Sequence, residues 1–167
     1  MQAKAGEKGI GDGTISVRAG VPADGPRLVD WNRRLALESE GLELDAARLG
    51  LGVEAALGDV SRGRYFLAER GGEALGGLLV TREWSDWRNG WWWWIQSVYV
   101  EPSARRQGVY DALHHHVQAL ARAAGDVVGI RLYVEHHNER AQRTYARLGM
   151  GDSGYRLLEQ PLGPAAG

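Results

Sequence analysis

The chain has 167 residues, with 20 basic and 21 acidic side chains, a formal net charge of −1, and 44% hydrophobic and 25% charged residues. These are the size and composition of one globular domain, and the charge balance excludes a non-specific nucleic-acid binder, which needs a basic face. No cysteine occurs, which excludes disulfides, thiol catalysis and Cys-ligated zinc and fits a reducing compartment.

No run of 18 apolar residues is present, so no transmembrane helix is expected. The opening MQAKAGEKGIGDG lacks the apolar stretch of a signal peptide. The expectation is therefore a cytoplasmic protein without a membrane partner. Residues 1–13 read as a flexible tail and residues 14–163 as the domain.

Ile15–Ala19 alternates and reads as a strand. Asp24 is placed to cap a helix that tolerates Pro26 in its first turn. Leu28, Trp31 and Leu35 then share one helical face. A second helix runs from about Asp45 to Leu57, with Gly50 and Gly52 weakening it. Arg64–Arg70 reads as a strand, Gly71-Gly72 as a hairpin turn, and Leu75–Trp84 as the next strand. Asn89-Gly90 marks another hairpin. Trp91–Val100, rich in aromatic and β-branched residues, follows as a long strand. Pro102 ends it. Val109, Leu113, Val117, Leu120 and Ala124 give a helix from Gly108 to Ala124. Gly129–Glu135 is a strand, and Asn138–Leu148 a helix with Asn138 as its N-cap and Gly149 just beyond its end. Met150–Leu162 is expected to add a last strand. The order is βααβββαβαβ, an α/β (α+β) domain around one mixed central sheet with helices on both faces.

Two stretches carry chemistry. In the first, a strand ends at Val98-Tyr99-Val100 and a helix starts near Gly108. The N–H groups from Gln107 to Tyr110 have no intrahelical partner and meet the positive end of the helix dipole. Gly108 permits close approach, and Arg105 and Arg106 add positive charge. Together they suit a phosphate or pyrophosphate. A plain helix start with two solvated arginines is the competing reading. In the second stretch, Asn138, Ala141, Tyr145 and Leu148 lie on one helical face. The small Ala141 lets a ligand pack closely, and Tyr145 presents a phenol there. A core tyrosine bonded to a backbone carbonyl is the bland alternative.

Taken together, Arg105-Arg-Gln-Gly108-Val-Tyr110 and Asn138-x-x-Ala141-x-x-x-Tyr145-x-x-x-Gly149-Met150 resemble the two signature motifs of the GNAT superfamily of N-acetyltransferases. The resemblance covers roughly residues 15–160. Tyr110 departs from a usual small residue, Arg106 from a frequent Gly, and Met150 from a frequent Phe. A side chain as large as Tyr110 must point away from the pyrophosphate for the loop to bind as in the family.

The resemblance implies an acetyl-CoA-dependent N-acetyltransferase without a metal, acting on a primary amine. The favoured acceptor is a small amine, cationic if the acidic residues near Glu38 form a mouth to the site; a protein or peptide acceptor and a non-catalytic acyl-CoA sensor are the alternatives. Acetyl-CoA would lie between strands that part after a β-bulge. Its contacts would be Val98, Tyr99, Val100, Arg105, Arg106, Gln107, Gly108, Val109, Tyr110, Asn138, Ala141 and Tyr145. The pantetheine would pair with backbone at Val98 and Val100, with an N–H near Val98 polarising the thioester. Tyr145 would be the general acid and Asn138 would bond the pantetheine arm. No carboxylate occupies the middle of WWWWIQSVYV, so the base stays open among Glu38, Glu83, Asp86 and Glu135 through water.

Two further features bear on the acceptor. Glu38, Glu40, Glu43 and Asp45 fall in eight residues without a basic side chain, which reads as an acidic mouth or as a solvated helix end. The chain has seven Trp and one Phe, with Trp91–Trp94 consecutive. Alternation along a strand sends Trp91 and Trp93 to one face and Trp92 and Trp94 to the other. Core packing, a homodimer interface, or a substrate wall with Trp84 and Asp86 would each account for them. His114, His115 and His116 point about 100° apart on a helix and cannot share a metal ion.

Overall fold

The computed structural model describes residues 13–162. Five strands, β1 (Ser16–Ala19), β2 (Arg64–Arg70), β3 (Glu73–Ser85), β4 (Gly90–Val100) and β5 (Val127–Leu132), form one sheet in chain order. β1 to β4 are antiparallel neighbours, and β5 pairs with β4 in parallel. The helices are α1 (Gly25–Glu40), α2 (Ala46–Gly58), α3 (Val109–Ala124) and α4 (Glu139–Arg147). The sheet is thus mixed, as expected: the β4–β5 connection carries α3 as a crossover and returns the chain in parallel, while the connection holding α1 and α2 brings β2 back antiparallel to β1.

β2 shows why its sequence does not alternate. Tyr65 and Leu67 face α1 and α2 and pack with Leu28, Trp31, Val53 and Tyr99. Phe66 and Ala68 face α3 and pack with Leu78, Val80, Ile95, Leu113 and Val117. Both faces are buried, so the strand is apolar throughout its centre. Gly76 and Gly77 let the strands close up: a Cβ on either would press into the backbone oxygen of Tyr99 or Phe66.

Local signals set the helix ends. Asp45 caps α2, its Oδ1 accepting from Arg48 N at 2.7 Å. Asn138 caps α4 in the same way, accepting from Ala141 N at 3.0 Å. Asp24 does not cap α1. Its carboxylate accepts from Val21 N at 2.8 Å, closing a 3-10 turn at Pro22–Asp24, and is held by Arg18 at 2.7 Å.

The expected last strand is a correction. Residues 151–162 have no ladder partner and are exposed along their length. Asp152 Oδ1 instead takes the Gly154 N–H at 2.8 Å, with Gly154 at φ +76°, so the chain bends where a strand would continue. The expected tail at 1–13, apart from Gly13, lies outside the described residues, as does residue 163. Among the described residues no helix is long and apolar enough to cross a membrane.

The tryptophans divide as alternation requires. Trp93 joins the core beneath α3, while Trp91 meets Trp84 edge to face at 5.0 Å. On the other face Trp92 lies over Gly129, where a Cβ would collide with the indole. Arg131 stacks on Trp92 at 3.8 Å. Trp94 stacks on Tyr133 at 4.5 Å and donates its Nε1–H to Glu83 at 2.6 Å.

Candidate active site

The site begins with a defect in β4. Gly77 is paired with Tyr99 but Leu79 with Gln96, so one residue of β3 opposes two of β4. Ser97 takes up the extra length at φ +51°, a conformation few non-glycine residues adopt. The consequence appears on the other edge. The β4–β5 ladder runs from Trp91↔Val127 to Ile95↔Leu132 and stops there. From Gln96 to Val100, β4 has no β5 residue beside it, and the two strands enclose a cleft.

This cleft holds about 520 Å³. Val98, Tyr99 and Val100 form one wall, and Asn138, Ala141, Thr144 and Tyr145 of α4 another. Its end is the turn into α3, with Arg105, Arg106, Gly108, Val109 and Tyr110. Gly108 precedes α3 at φ +81°, and Arg106 stands at φ +65°. The first bond of α3 runs from Ala112 N to Gly108 O, so the N–H groups of 109–111 lie outside the helical ladder. A Cβ built on Gly108 would meet nothing within 4 Å, so the backbone there is open to a ligand. An open backbone, unladdered donors and adjacent arginines suit a pyrophosphate.

The two arginines differ. Arg106 is exposed. Arg105 is engaged: its Nε donates to Val100 O at 3.0 Å, and its Nη2 lies 2.6 Å from Glu38 Oε2. Arg105 therefore ties the loop to β4 and to the end of α1. Gln107 does not line the cleft; its side chain bridges Ser103 O and Arg70.

Tyr110 turns its ring into the core beneath α3 and sets its hydroxyl 3.5 Å from His114 Nδ1. Burial pushes its phenol well above the ordinary tyrosine range. Tyr145 meets it edge to face at 5.5 Å, and burial raises the Tyr145 phenol too. Tyr145 is thus a protonated donor at neutral pH, at the cleft wall.

The base candidates separate sharply. Glu38 lines the cleft. Glu83 does not; it is paired with Arg131 at 3.1 Å. Asp86 sits in the β3–β4 turn and accepts from Trp87 N. Trp84 pairs with Trp91, seven residues before Val98 and on the order of 23 Å away along the strand. Glu135 accepts from His137 N at 2.8 Å in the approach to α4, and Glu40 is exposed at the end of α1; neither lines the cleft.

Residues not singled out from the sequence complete the frame. Glu101 accepts from Trp31 Nε1 at 2.7 Å and from both terminal nitrogens of Arg34. The Arg34 guanidinium holds its carboxyl below the usual range. This fastens α1 to the end of β4. Asp111 and Arg147, 2.7 Å apart, join the start of α3 to α4. Arg140 also lines the cleft. Nothing in the spacing marked these contacts, since each joins residues far apart in the chain. His114 is buried, His116 packs against Phe66 at 5.2 Å, and no metal-holding group of three or more His, Cys, Asp or Glu occurs among the described residues.

A parted strand pair beside an open helix start gives this mixed α/β fold a cleft suited to an extended, phosphate-bearing ligand. The chain matches the acetyltransferase (GNAT) family model over residues 27–150, and it belongs to that family. It is similar to a possible acetyltransferase from Clostridium difficile 630 at 37% identity and a TM-score of 0.84, covering 90% of this chain and 99% of the other. An integron cassette protein from the mobile metagenome of Cole Harbour Salt Marsh shares 27% identity, with a TM-score of 0.78 over 90% and 92% of the two chains. A protein from Clostridium acetobutylicum, described as a predicted acetyltransferase with acetyl-CoA, shares the fold at 18% identity and a TM-score of 0.72 over 88% and 96%. No curated protein matches by sequence.

Proposed function

We propose that the protein is a cytoplasmic acetyl-CoA-dependent N-acetyltransferase that transfers acetyl directly to a small, cationic primary amine. The observation that carries this reading is the bulge at Ser97, which frees β4 from β5 beside the open turn at Gly108. Backbone at Val98 and Val100 is left to pair with the amides of the pantetheine arm, as an added strand would. The donors of 109–111 and the charge of Arg106 receive the pyrophosphate.

Acetyl-CoA supplies the acetyl group as a thioester. The amine nitrogen forms the new C–N bond, the C–S bond breaks, the nitrogen loses a proton and the sulfur gains one. Tyr145 donates the proton to sulfur, because burial keeps its phenol protonated. The N–H near Val98 would supply a donor to the thioester oxygen as charge develops there. Glu38 takes the amine proton through water. Its place at the end of α1, with Glu40 and Glu43 nearby in sequence, favours a cationic acceptor.

Calorimetric titration with acetyl-CoA, followed by a thiol-release assay over polyamines, amino acids, aminoglycosides and peptides, tests the reading. The chain has no cysteine, so released thiol is read without background. Binding with turnover of a small cationic amine is the expected result. Turnover of peptides alone would replace the acceptor, and binding without any turnover would replace catalysis with sensing.

A further inference from the structure

The consecutive tryptophans of β4 build a feature that the cofactor cleft does not use. On the sheet face away from α3, planar groups stand in a row along β4 and β5. The Arg131 guanidinium lies 3.8 Å from the ring centroid of Trp92 and 5.6 Å from that of Trp94. Trp94 in turn stacks on Tyr133, with centroids 4.5 Å apart and planes 28° from parallel. The row therefore runs Trp92, Arg131, Trp94, Tyr133, held by cation–π and stacked contacts. Glu83 fixes it from the side: its carboxylate accepts from Trp94 Nε1 at 2.6 Å and from Arg131 Nη1 at 3.1 Å. One group thus sets both planes and balances the charge of Arg131. A surface ordered in advance in this way costs a ligand little further ordering.

The row ends at Tyr133. Trp94 covers one side of its ring, no ring or cation is stacked on the other among the described residues, and the residue is 54% exposed. It also ends where the strands part. Ile95↔Leu132 is the last rung of the β4–β5 ladder, and Tyr133 follows it. Continuing that register sets Tyr133 level with Gln96. The Gln96 side chain is turned toward β3, its Nε2 donating to Thr81 Oγ1 at 2.6 Å. Val98, the first residue of β4 in the cleft wall, stands two residues further along, roughly 7 Å at the rise of a strand.

We propose that Tyr133 determines acceptor specificity by stacking an aromatic ring that carries the reacting amine on a short alkyl tether, so that the acceptor is an arylalkylamine. This depends on the acetyltransferase activity proposed for the cleft and narrows its small cationic amine to one with a flat aromatic body. A ring on the uncovered side of Tyr133 extends the row by one plate. The tether then reaches from the level of Gln96 to the thioester beside Val98. An aliphatic amine gains no stacked contact from the row. An aromatic one gains about 2- to 10-fold in affinity, the range of a stacked aromatic pair.

Phenethylamine and cyclohexylethylamine share a tether and a charge and are close in size, but only the first has a π face. Each is titrated calorimetrically into the full chain with excess CoA present, which permits no transfer, and each is then assayed for turnover with acetyl-CoA. Phenethylamine should bind about 2- to 10-fold more tightly, with the difference appearing in KM and not in kcat. Tyr133→Leu should bring the ratio to one, and Tyr133→Phe, which keeps the ring, should retain it. Equal affinities in the native chain, tighter binding of cyclohexylethylamine, binding of neither, or a ratio unchanged in Tyr133→Leu would each overturn the proposal. Turnover of aliphatic amines without a preference for the aromatic one removes the stacking site and leaves the acetyltransferase standing. A preference that depends on Tyr133, with no turnover of any amine, keeps the site and removes the transfer.

Discussion

The rings of Tyr110 and Tyr145 meet edge to face with centroids 5.5 Å apart, so the first turn of α3 and the middle of α4 are joined at the cleft. Tyr110 stands where the family more often has a small residue. Its ring reaches the core and supports Tyr145 from below, leaving the backbone of the turn free. One large side chain thereby orients the proposed acid without closing the loop.

Tyr145→Phe keeps the ring contact and removes the proton. It should lower kcat by about 100-fold or more, in the range of general acid catalysis, with acetyl-CoA affinity by calorimetry nearly unchanged. An unchanged kcat would take Tyr145 out of the mechanism.

Gly108→Val should abolish measurable acetyl-CoA binding. A β-branched residue at φ +81° is strained by about 1–3 kcal/mol, and its side chain would stand where the backbone is open. Nothing in the fold lies within 4 Å of that Cβ, so circular dichroism should report a folded protein. Retained affinity in the folded variant would sink the assignment of the turn.

Glu38→Gln should lower kcat by about 100-fold or more, in the range of general base catalysis, with acetyl-CoA affinity nearly unchanged. Arg105→Ala separates the two roles of that corner: it removes the partner of Glu38 and the bond to Val100 O. It should weaken acetyl-CoA binding through the loop while leaving the carboxylate in place. An unchanged kcat in Glu38→Gln would exclude Glu38 as base.

Glu101 supplies a pH signature of stability. Its folded carboxyl is held below its ordinary value by Arg34, so it stabilises the fold above the unfolded-state value. That contribution is lost as pH falls through the folded value. Thermal melts should show acid destabilisation that Glu101→Gln flattens. The variant should cost about 1–3 kcal/mol at neutral pH, since Trp31 Nε1 and Arg34 lose a charged acceptor. An acid limb unaltered in the variant would assign it to other carboxylates, Asp24 with Arg18 among them.

Gly129→Val would place a side chain where the Trp92 indole lies on β5. Overpacking of this kind costs about 1–3 kcal/mol. The melting temperature should fall while acetyl-CoA affinity holds, because Trp92 is not part of the cleft wall. Native-like stability would mean that the indole has another place to go.

The sequence by itself determined the element order from β1 to α4, because periodicity, caps and hairpin turns are local. Asn138 caps the helix its position indicates, and Gly71-Gly72 and Asn89-Gly90 turn the two hairpins. It also pointed to the turn at Gly108 and the face of Tyr145, since each motif is confined to one short stretch of chain. Tertiary structure decided what depends on distant partners. The bulge at Ser97 exists only through its register against β3, and no residue type announces it. Glu38 was separated from Glu83, Asp86 and Glu135 by where α1 ends relative to β4. Glu101 acquired its role from Trp31 and Arg34, some 67 to 70 residues away in the chain. The last strand failed for the same reason: strand propensity is satisfied only by pairing with an edge, and residues 155–160 pair with none among the described residues.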